Sequence, residues 1–537
     1  MQLDLVVENA RVATMDDEHP WAESFGVLNG RICALGSAST LPAKRRLNLQ
    51  NRLVLPGFAD AHNHMTWYGL MHFEIDLTAC QSLEDLYALI REHCEANPSD
   101  EVIIGNGYLH TEIGGVHPDR AVLDKVADGR PVWLRHGSGH MCAVNTPVLE
   151  ALNLLQRIPA GIEHYVEVDD EGVPTGVLTE TAQTLVVDHF TPYRLDYLTE
   201  AIATAAQKYV AQGLTSVTEA GIGGGWMSKS PIELAAYQRL LRDGRLPVRV
   251  ELMPTADALH ALPSHPDDDM RFGLDLGISN GFGNDRLRIG PMKIWLDGGL
   301  ASRTARVGES YHDVHACGFY QNDPEEMRST VRQAVASGWQ VAMHVIGDEA
   351  IDYALTMFEE LAKEFPVEQM RHRFEHAGMT QLSDLPRMRA LGITPIIQPG
   401  FLWSLGETMY RAVGADRADM LYRARSFIDA GIRLVSSSDR PVADGDPLKG
   451  IEMALYRRTP RGRVIGPNET IGILDAIKSY TVNPAWVSKA EGDRGMLADG
   501  YYADFVVLSS NIIDEPASVT SAKVVSTFVE GDCVYER

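Results

Sequence analysis

The sequence predicts an α/β fold: a barrel of parallel strands, a small β-sandwich made from both chain ends, and an α/β domain inserted between barrel strands 1 and 2. Three observations lead there. Apolar β-type runs alternate with amphipathic helical segments through most of the second half of the chain. Those runs are apolar on both faces, as strands of a parallel sheet covered by helices must be. Counted with the run that ends in "ADAHNH", they number eight, which closes a (β/α)8 TIM barrel.

The elements follow in chain order. Residues 1–54 hold short β-rich runs, "LDLVVENARVATMD" and "ESFGVLNGRICALG", the second with a turn-forming Asn-Gly. Residues 55–75 carry the first barrel strand. If "RLVLPGFADAHNH" is extended, His62 and His64 stand two apart and point to the same side. Residues 76–205 are too many for a structureless loop. They contain their own helical and β patterns, among them "LEDLYALIREHCEAN", "EVIIGNGYL" and "PVWLRHG", and are read as the inserted α/β domain. Residues 206–484 supply the remaining barrel units, with strands such as "GLTSVTEAG", "PMKIWLDGG", "WQVAMHVIGDEA" and "IRLVSSSDRP". Residues 485–537 return to the style of the start in "ADFVVLSSN" and "KVVSTFVEGDCVYE", so the two ends are expected to form the β-sandwich together.

Composition narrows the class of partner. Lys and Arg total 48 against 73 Asp and Glu, a formal charge of −25 that repels nucleic acid and anionic membrane surfaces. A small-molecule substrate is expected, with no nucleic acid and no membrane. The chain has neither a basic, apolar leader nor an uninterrupted apolar stretch of about 18 residues, which predicts a cytoplasmic protein. Its six cysteines form no Cys-X-X-Cys pair, so a reducing compartment is expected and any metal must use nitrogen and oxygen ligands. Two-fold dimers are the commonest assembly of large soluble enzymes, and a homodimer is expected here.

Chemistry in such a barrel sits at the C-terminal strand ends. Those ends read His62, His64, Lys293, His344, His376 and Asp439. Each has an ordinary explanation alone: a salt-bridged lysine, a hydrogen-bonded core histidine, a helix N-cap before "RPVADGDPL". Together, in barrel order, they form a metal site. Imidazole and carboxylate ligands suit Zn²⁺, with Mn²⁺, Fe²⁺ and Ni²⁺ left open. Arg303, in "LASRTA", is a candidate to hold an anionic substrate group or to pair with a protein carboxylate.

The stretches "LPGFADAHNH", "MKIWLDGG", "MHVIGDEAI", "HRFEHA" and "SSSDRPV" resemble the metal-dependent amidohydrolase superfamily, and within it the amidohydrolase-3, YtcJ-like branch that includes N-substituted formamide deformylase. The resemblance implies one or two divalent ions per chain. It also implies that Lys293, whose bare ammonium would repel a dication, reacts with CO₂ to give an anionic carbamate between them. His62 and His64 would hold the more buried ion, completed by Asp439, and His344 and His376 the other. "RHGSGHMCAVN" is similar to a family stretch with a substrate-side His and Asn, here His140 and Asn145, and "PTGVLTETA" places Glu180 near the cavity.

The implied reaction is hydrolysis of a non-peptide C–N bond, of amide type and open to N-formyl or N-acyl amines, by metal-activated hydroxide. Asp439 would take the proton and pass it to the departing nitrogen, with His140 a second donor to the carbonyl oxygen. Alternatives on the same scaffold are a lactone or phosphoester hydrolase, a deaminase, and a non-catalytic scaffold protein. Deamination is disfavoured: the superfamily's ring deaminases carry a Glu three residues after the strand-5 histidine, where this chain has Gly347.

Overall fold

The computed structural model describes residues 2–225, 227–265 and 267–537. Phe58–Asn63, Leu214–Ile222, Arg249–Pro254 and Leu287–Ile289 form an all-parallel arc in that order. A second all-parallel arc runs from Met292–Trp295 through Val341–Val345, Arg373–His376 and Thr394–Ile397 to Val435–Ser436. Gly290 and Pro291 separate the arcs, and a proline has no N–H to give a ladder. Hydrogen bonds join the arcs at both seams. Thr255 bridges to Lys293 on one side. On the other, Asp439 N donates to the His62 carbonyl at 2.8 Å and His64 N to that of Arg440 at 2.7 Å.

Most strand residues are buried, because helices cover their outer face. Helix Pro324–Ala336 begins on Asp323, whose carboxylate accepts from Glu325 N and Glu326 N, with Pro324 in the first turn. Helix Asp348–Leu361 buries Ile351, Leu355 and Phe358, a spacing of four and three that makes one apolar stripe.

The chain ends make two sheets. One contains Leu3–Glu8, Phe25–Leu28, Arg31–Cys33 and Ala43–Asn48; in the other Phe505–Leu508 lies between Leu53–Pro56 and Val524–Val529. Leu5, Val7 and Phe25 of the first share an apolar cluster with Val54, Phe505 and Phe528 of the second.

The segment after the first arc strand builds a six-stranded sheet from Ile75–Asp76 to Pro174–Thr179. The boundary expected at residue 205 needs correction. Helix Leu195–Val210 packs on helix Met65–Leu70 and buries Leu198, Ala201, Ile202 and Ala205 in the same core as the two arcs. At this crossing a Cβ on Gly69 would stand 2.1 Å from the Ala201 carbonyl oxygen, so only glycine fits. The amphipathic pattern of a single helix does not say which sheet it covers.

A buried polar network ties the six-stranded sheet to the arcs. Arg135 donates to Glu74, Asn106 and the Tyr193 hydroxyl, Tyr193 donates to Glu74, and Asn106 accepts from the Trp67 indole at 3.1 Å. Among the described residues no helix is long and apolar enough to cross a membrane.

Candidate metal centre

The strand ends bring His62, His376 and Asp439 together: each is buried and offers a ligand atom, and these atoms lie within 4.8 Å of one another. His62 Nε2 stands 3.3 Å and His64 Nε2 3.1 Å from Asp439 Oδ1. That oxygen is nonetheless buried without an aligned hydrogen-bond partner among the described residues. Two imidazole nitrogens crowd one carboxylate oxygen, as ligands gathered around a cation do. The donor set fits a divalent ion with nitrogen and oxygen ligands.

Lys293 Nζ lies 3.4 Å from His62 Nε2. The His344 ring packs edge-on against His376 with centroids 4.5 Å apart; its Nε2 faces the Gly298 carbonyl at 3.2 Å, so Nδ1 is the atom it has for a cation.

Two of these residues sit in left-handed backbone, His376 at φ +74° and Asp439 at φ +55°, a conformation that costs free energy for a non-glycine residue and collects at functional sites. Consecutive strand residues normally point to opposite faces. Here Glu375 and His376 both reach His62, the first by a hydrogen bond to Nδ1 and the second with ring centroids 5.0 Å apart. The turned backbone at His376 breaks the alternation.

A surrounding layer aims the ligands. Glu375 takes the Nδ1 side of His62, leaving Nε2 for the cluster, and is itself held by Arg373 Nε at 2.7 Å. The His376 Nδ1 side is taken by Gln398 Oε1 at 2.8 Å. Asp60 accepts from the backbone N of Ser438 at 3.0 Å and of His62 at 3.3 Å, tying the first strand to the last. Sequence reading missed Glu375, Gln398 and Asp60. Each is a buried polar residue in or just past a short strand.

Electrostatics favour neutral imidazoles. Burial pushes His64 down to about 4, His376 to about 3 and His344 well below the usual range. Burial likewise brings Lys293 down to about 8, although Glu375 and Asp439 pull it the other way. It would raise Asp439, but His62, His64 and His376 hold that carboxyl well below its ordinary value.

Two adjoining cavities open on the cluster. One, of about 20 Å³, lies between Trp67, Met227 and Trp295. The other, of about 30 Å³, has Phe401, Leu405, Met409 and Tyr422 as its far wall. Ser138 and His140 border both. The His140 ring lies 5.3 Å from that of His344, and its Nδ1 is 2.8 Å from Glu180 Oε2. Burial pulls the His140 imidazole down, but the Glu180 charge and hydrogen bond outweigh it and raise it overall.

Three residues expected near the substrate have protein partners in the structure. Glu180 is fully buried and also accepts from Gln321, so it reaches the cavities only through His140. Asn145 lies past the far end of strand Met141–Val144, with Oδ1 accepting from Val132 N and Nδ2 donating to the Arg130 carbonyl, both at 2.9 Å. Its amide is spent on the backbone. The Arg303 guanidinium pairs with Asp313 and with the carbonyls of Leu300 and Ala301, the protein-carboxylate alternative of the two readings.

The profile of the Amidohydrolase family (Amidohydro_3) matches residues 46–535. The chain is 28% identical over 541 residues to putative amidohydrolase YtcJ of Bacillus subtilis, covering 98% of each. It is 27% identical over 560 residues to N-substituted formamide deformylase of Arthrobacter pascens, covering 99% of this chain and 98% of that one. An uncharacterized metal-dependent hydrolase from Pyrococcus horikoshii superposes with a TM-score of 0.74 at 25% identity, over 95% of this chain and 98% of that one. Matched from residue 46 almost to its end, the chain belongs to the Amidohydrolase family and is a metal-dependent amidohydrolase.

Proposed function

We propose that the enzyme hydrolyses an amide-type, non-peptide C–N bond in a small molecule, such as an N-formyl or N-acyl amine, at a centre held by His62, His64, His344, His376, Asp439 and a carboxylated Lys293. The reading takes the two parallel arcs as one closed (β/α)8 barrel and the two sheets of the chain ends as a β-sandwich. The observation that carries it is Asp439 Oδ1, buried and crowded by two imidazole nitrogens without an aligned hydrogen bond. Similarity to N-substituted formamide deformylase supports the choice of bond. The site is placed in the cytoplasm, in keeping with six cysteines that all stand as free thiols.

A divalent cation, Zn²⁺ first among those suited to this donor set, supplies a Lewis acid for the carbonyl and a water whose pKa falls towards 7. The chain's own groups do the rest. Asp439, held as a carboxylate, takes a proton from the attacking water and delivers it to the departing nitrogen. His140 donates to the carbonyl oxygen as charge builds on it, kept in place by Glu180. The depressed Lys293 gives the neutral amine that CO₂ requires, and the resulting anion offsets cation repulsion. Deamination of the Glu-dependent kind is disfavoured sterically, since a Cβ on Gly347 would stand 1.8 Å from the Arg306 carbonyl oxygen.

The test is a panel of N-formyl and N-acyl amines, lactones and phosphoesters offered to the metal-loaded enzyme. Amide turnover that chelation abolishes and metal restores is the expected result. Turnover of lactones or phosphoesters alone overturns the choice of bond.

A further inference from the structure

Three further histidines gather in the six-stranded sheet, beside the loop that carries Ser138 and His140. His136 ends strand Val132–His136, whose parallel neighbour Ile103–Tyr108 runs on to His110. His110 and His117 are half-buried and their rings stack at 4.5 Å; His136 is buried, its ring 5.1 Å from that of His110. His110 Nδ1 stands 3.0 Å from His136 Nε2, and His136 Nδ1 stands 2.8 Å from Ser138 Oγ. Ser138 in turn borders both cavities on the metal cluster. A continuous line of hydrogen bonds therefore runs from a half-buried imidazole to the wall of the site.

One backbone contact fixes the direction of that line. Ser138 N donates to His136 Nδ1 at 3.1 Å, so Nδ1 is an acceptor and the ring carries its hydrogen on Nε2. That Nε2 donates to His110 Nδ1, which leaves the hydrogen of His110 on its own Nε2, an atom with no hydrogen-bond partner among the described residues. Ser138 Oγ accepts from His140 N at 3.2 Å and gives its hydrogen to His136 Nδ1, keeping a second lone pair. The hydroxyl and both imidazole donors thus point away from the cavities. Burial holds all three imidazoles below their ordinary range, His117 at about 4, so the rings are neutral and can accept.

We propose that Ser138, His136 and His110 form a path that carries protons out of the hydrolytic centre, an inference that rests on the cluster being that centre. Hydrolysis of an amide to a carboxylate and a free amine breaks the C–N bond, leaves its electron pair on nitrogen and forms a C–O bond to water. One proton of that water goes to the nitrogen; the other has to leave a centre whose ligands are buried. On the path, Ser138 Oγ takes a proton from water in the cavity as its own passes to His136 Nδ1. The Nε2 proton of His136 passes to His110 Nδ1, and His110 Nε2 releases one to solvent. Each group gains one proton and loses one, so the net movement is one proton from cavity to solvent.

The path is tested with and without turnover. In neutron diffraction from deuterium-exchanged crystals of the resting, metal-loaded enzyme, deuterium is expected on Nε2 of His136 and of His110; deuterium on His136 Nδ1 overturns the proposal whatever substrate is cut. Kinetics use whichever substrate of the panel is handled, since ester hydrolysis also releases a proton. At low buffer concentration His110→Ala should lower kcat about 10²-fold at unchanged KM, and added imidazole should restore it. Ser138→Ala should lower kcat as well, and the double variant no further than the worse of the two, because the groups serve one path. Undiminished kcat in His110→Ala, a loss that imidazole does not restore, or additive losses in the double variant overturns the proposal. Turnover of esters alone, with imidazole rescue intact, leaves the path standing and sinks the C–N reading instead.

Discussion

Glu375 decides which nitrogen of His62 faces the cluster. In Glu375→Gln the amide oxygen can still accept from His62 Nδ1, but the amide nitrogen then meets Arg373 Nε, donor against donor. Loss of such a ligand-orienting partner costs about 10- to 100-fold in metal affinity, and competition with a chromophoric chelator should read that loss. Asp439→Asn removes charge and proton acceptor at constant size. A fall in kcat of about 10²- to 10⁴-fold is expected, and Lys293→Ala should instead lower metal content and respond to added short carboxylic acids. Near-normal turnover in Asp439→Asn would remove the proton-transfer role. At this scale the sequence was most legible where residue types were rare: histidines, a lysine and an aspartate in or just beyond the parallel strands. It was least legible where a common residue did its work through a partner distant in sequence. Nothing in "RPVWLRHGSG" tells that Asn145 will close on Val132 and Arg130, and Glu375 shows its role only once His62 is beside it.

Between elements, two buried junctions carry consequences. Arg135 and Glu74 pair with both side chains almost wholly buried, and the pair links the six-stranded sheet to the Trp67 wall of the smaller cavity. Arg135→Ala strands the carboxylate, which typically costs about 3–5 kcal/mol, and chemical denaturation should show that loss. The second junction joins strand Leu214–Ile222 to helix Met65–Leu70. Glu219 accepts there from Thr66 N at 3.0 Å and the Tyr237 hydroxyl at 2.7 Å. Burial, reinforced by the Glu233 charge, pushes its carboxyl up to about 8. In the unfolded chain it titrates near ~4.3, so between those values the folded form keeps a proton the unfolded form has lost. The Glu219 contribution to stability therefore declines as pH rises through that window. Subtracting the pH dependence of Glu219→Gln from that of the parent in thermal melts should leave a loss of stability with rising pH between about pH 5 and about pH 8; no difference between the two would show that Glu219 does not titrate there. The helical period made the helices legible, yet the expected boundary at 205 falls inside Leu195–Val210, because only packing on Met65–Leu70 shows what that helix covers.

For the molecule as a whole, the end sheets attach to the arcs through a shared apolar core and buried polar contacts. Arg249, on an arc strand, meets Asp504 from the C-terminal part through two bonds of 2.7 and 3.1 Å. The order of strands around the arcs could be read from the chain because each strand-helix unit announces itself locally; how the two ends fasten to the arcs depends on pairs such as this, 255 residues apart. Association with a second copy is expected from the frequency of two-fold enzymes and from large apolar side chains left exposed, Phe282 and Ile232 among them. Light scattering should return twice the 59.1 kDa chain mass; a monomer at micromolar concentration would refute it.

The seam between the first and last arc strands has a consequence in time. Asp60 and Ser438, whose hydrogen bond helps to close that seam beside the ligands, are 378 residues apart. At a synthesis rate of about 5–20 residues per second, roughly 20 to 75 seconds pass at the ribosome between making one and making the other. Through that interval His62 and His64 exist without Asp439, so the growing chain offers only half a binding site. Cation capture by the complete ligand set therefore waits until Asp439 has been made, long after the first two histidines.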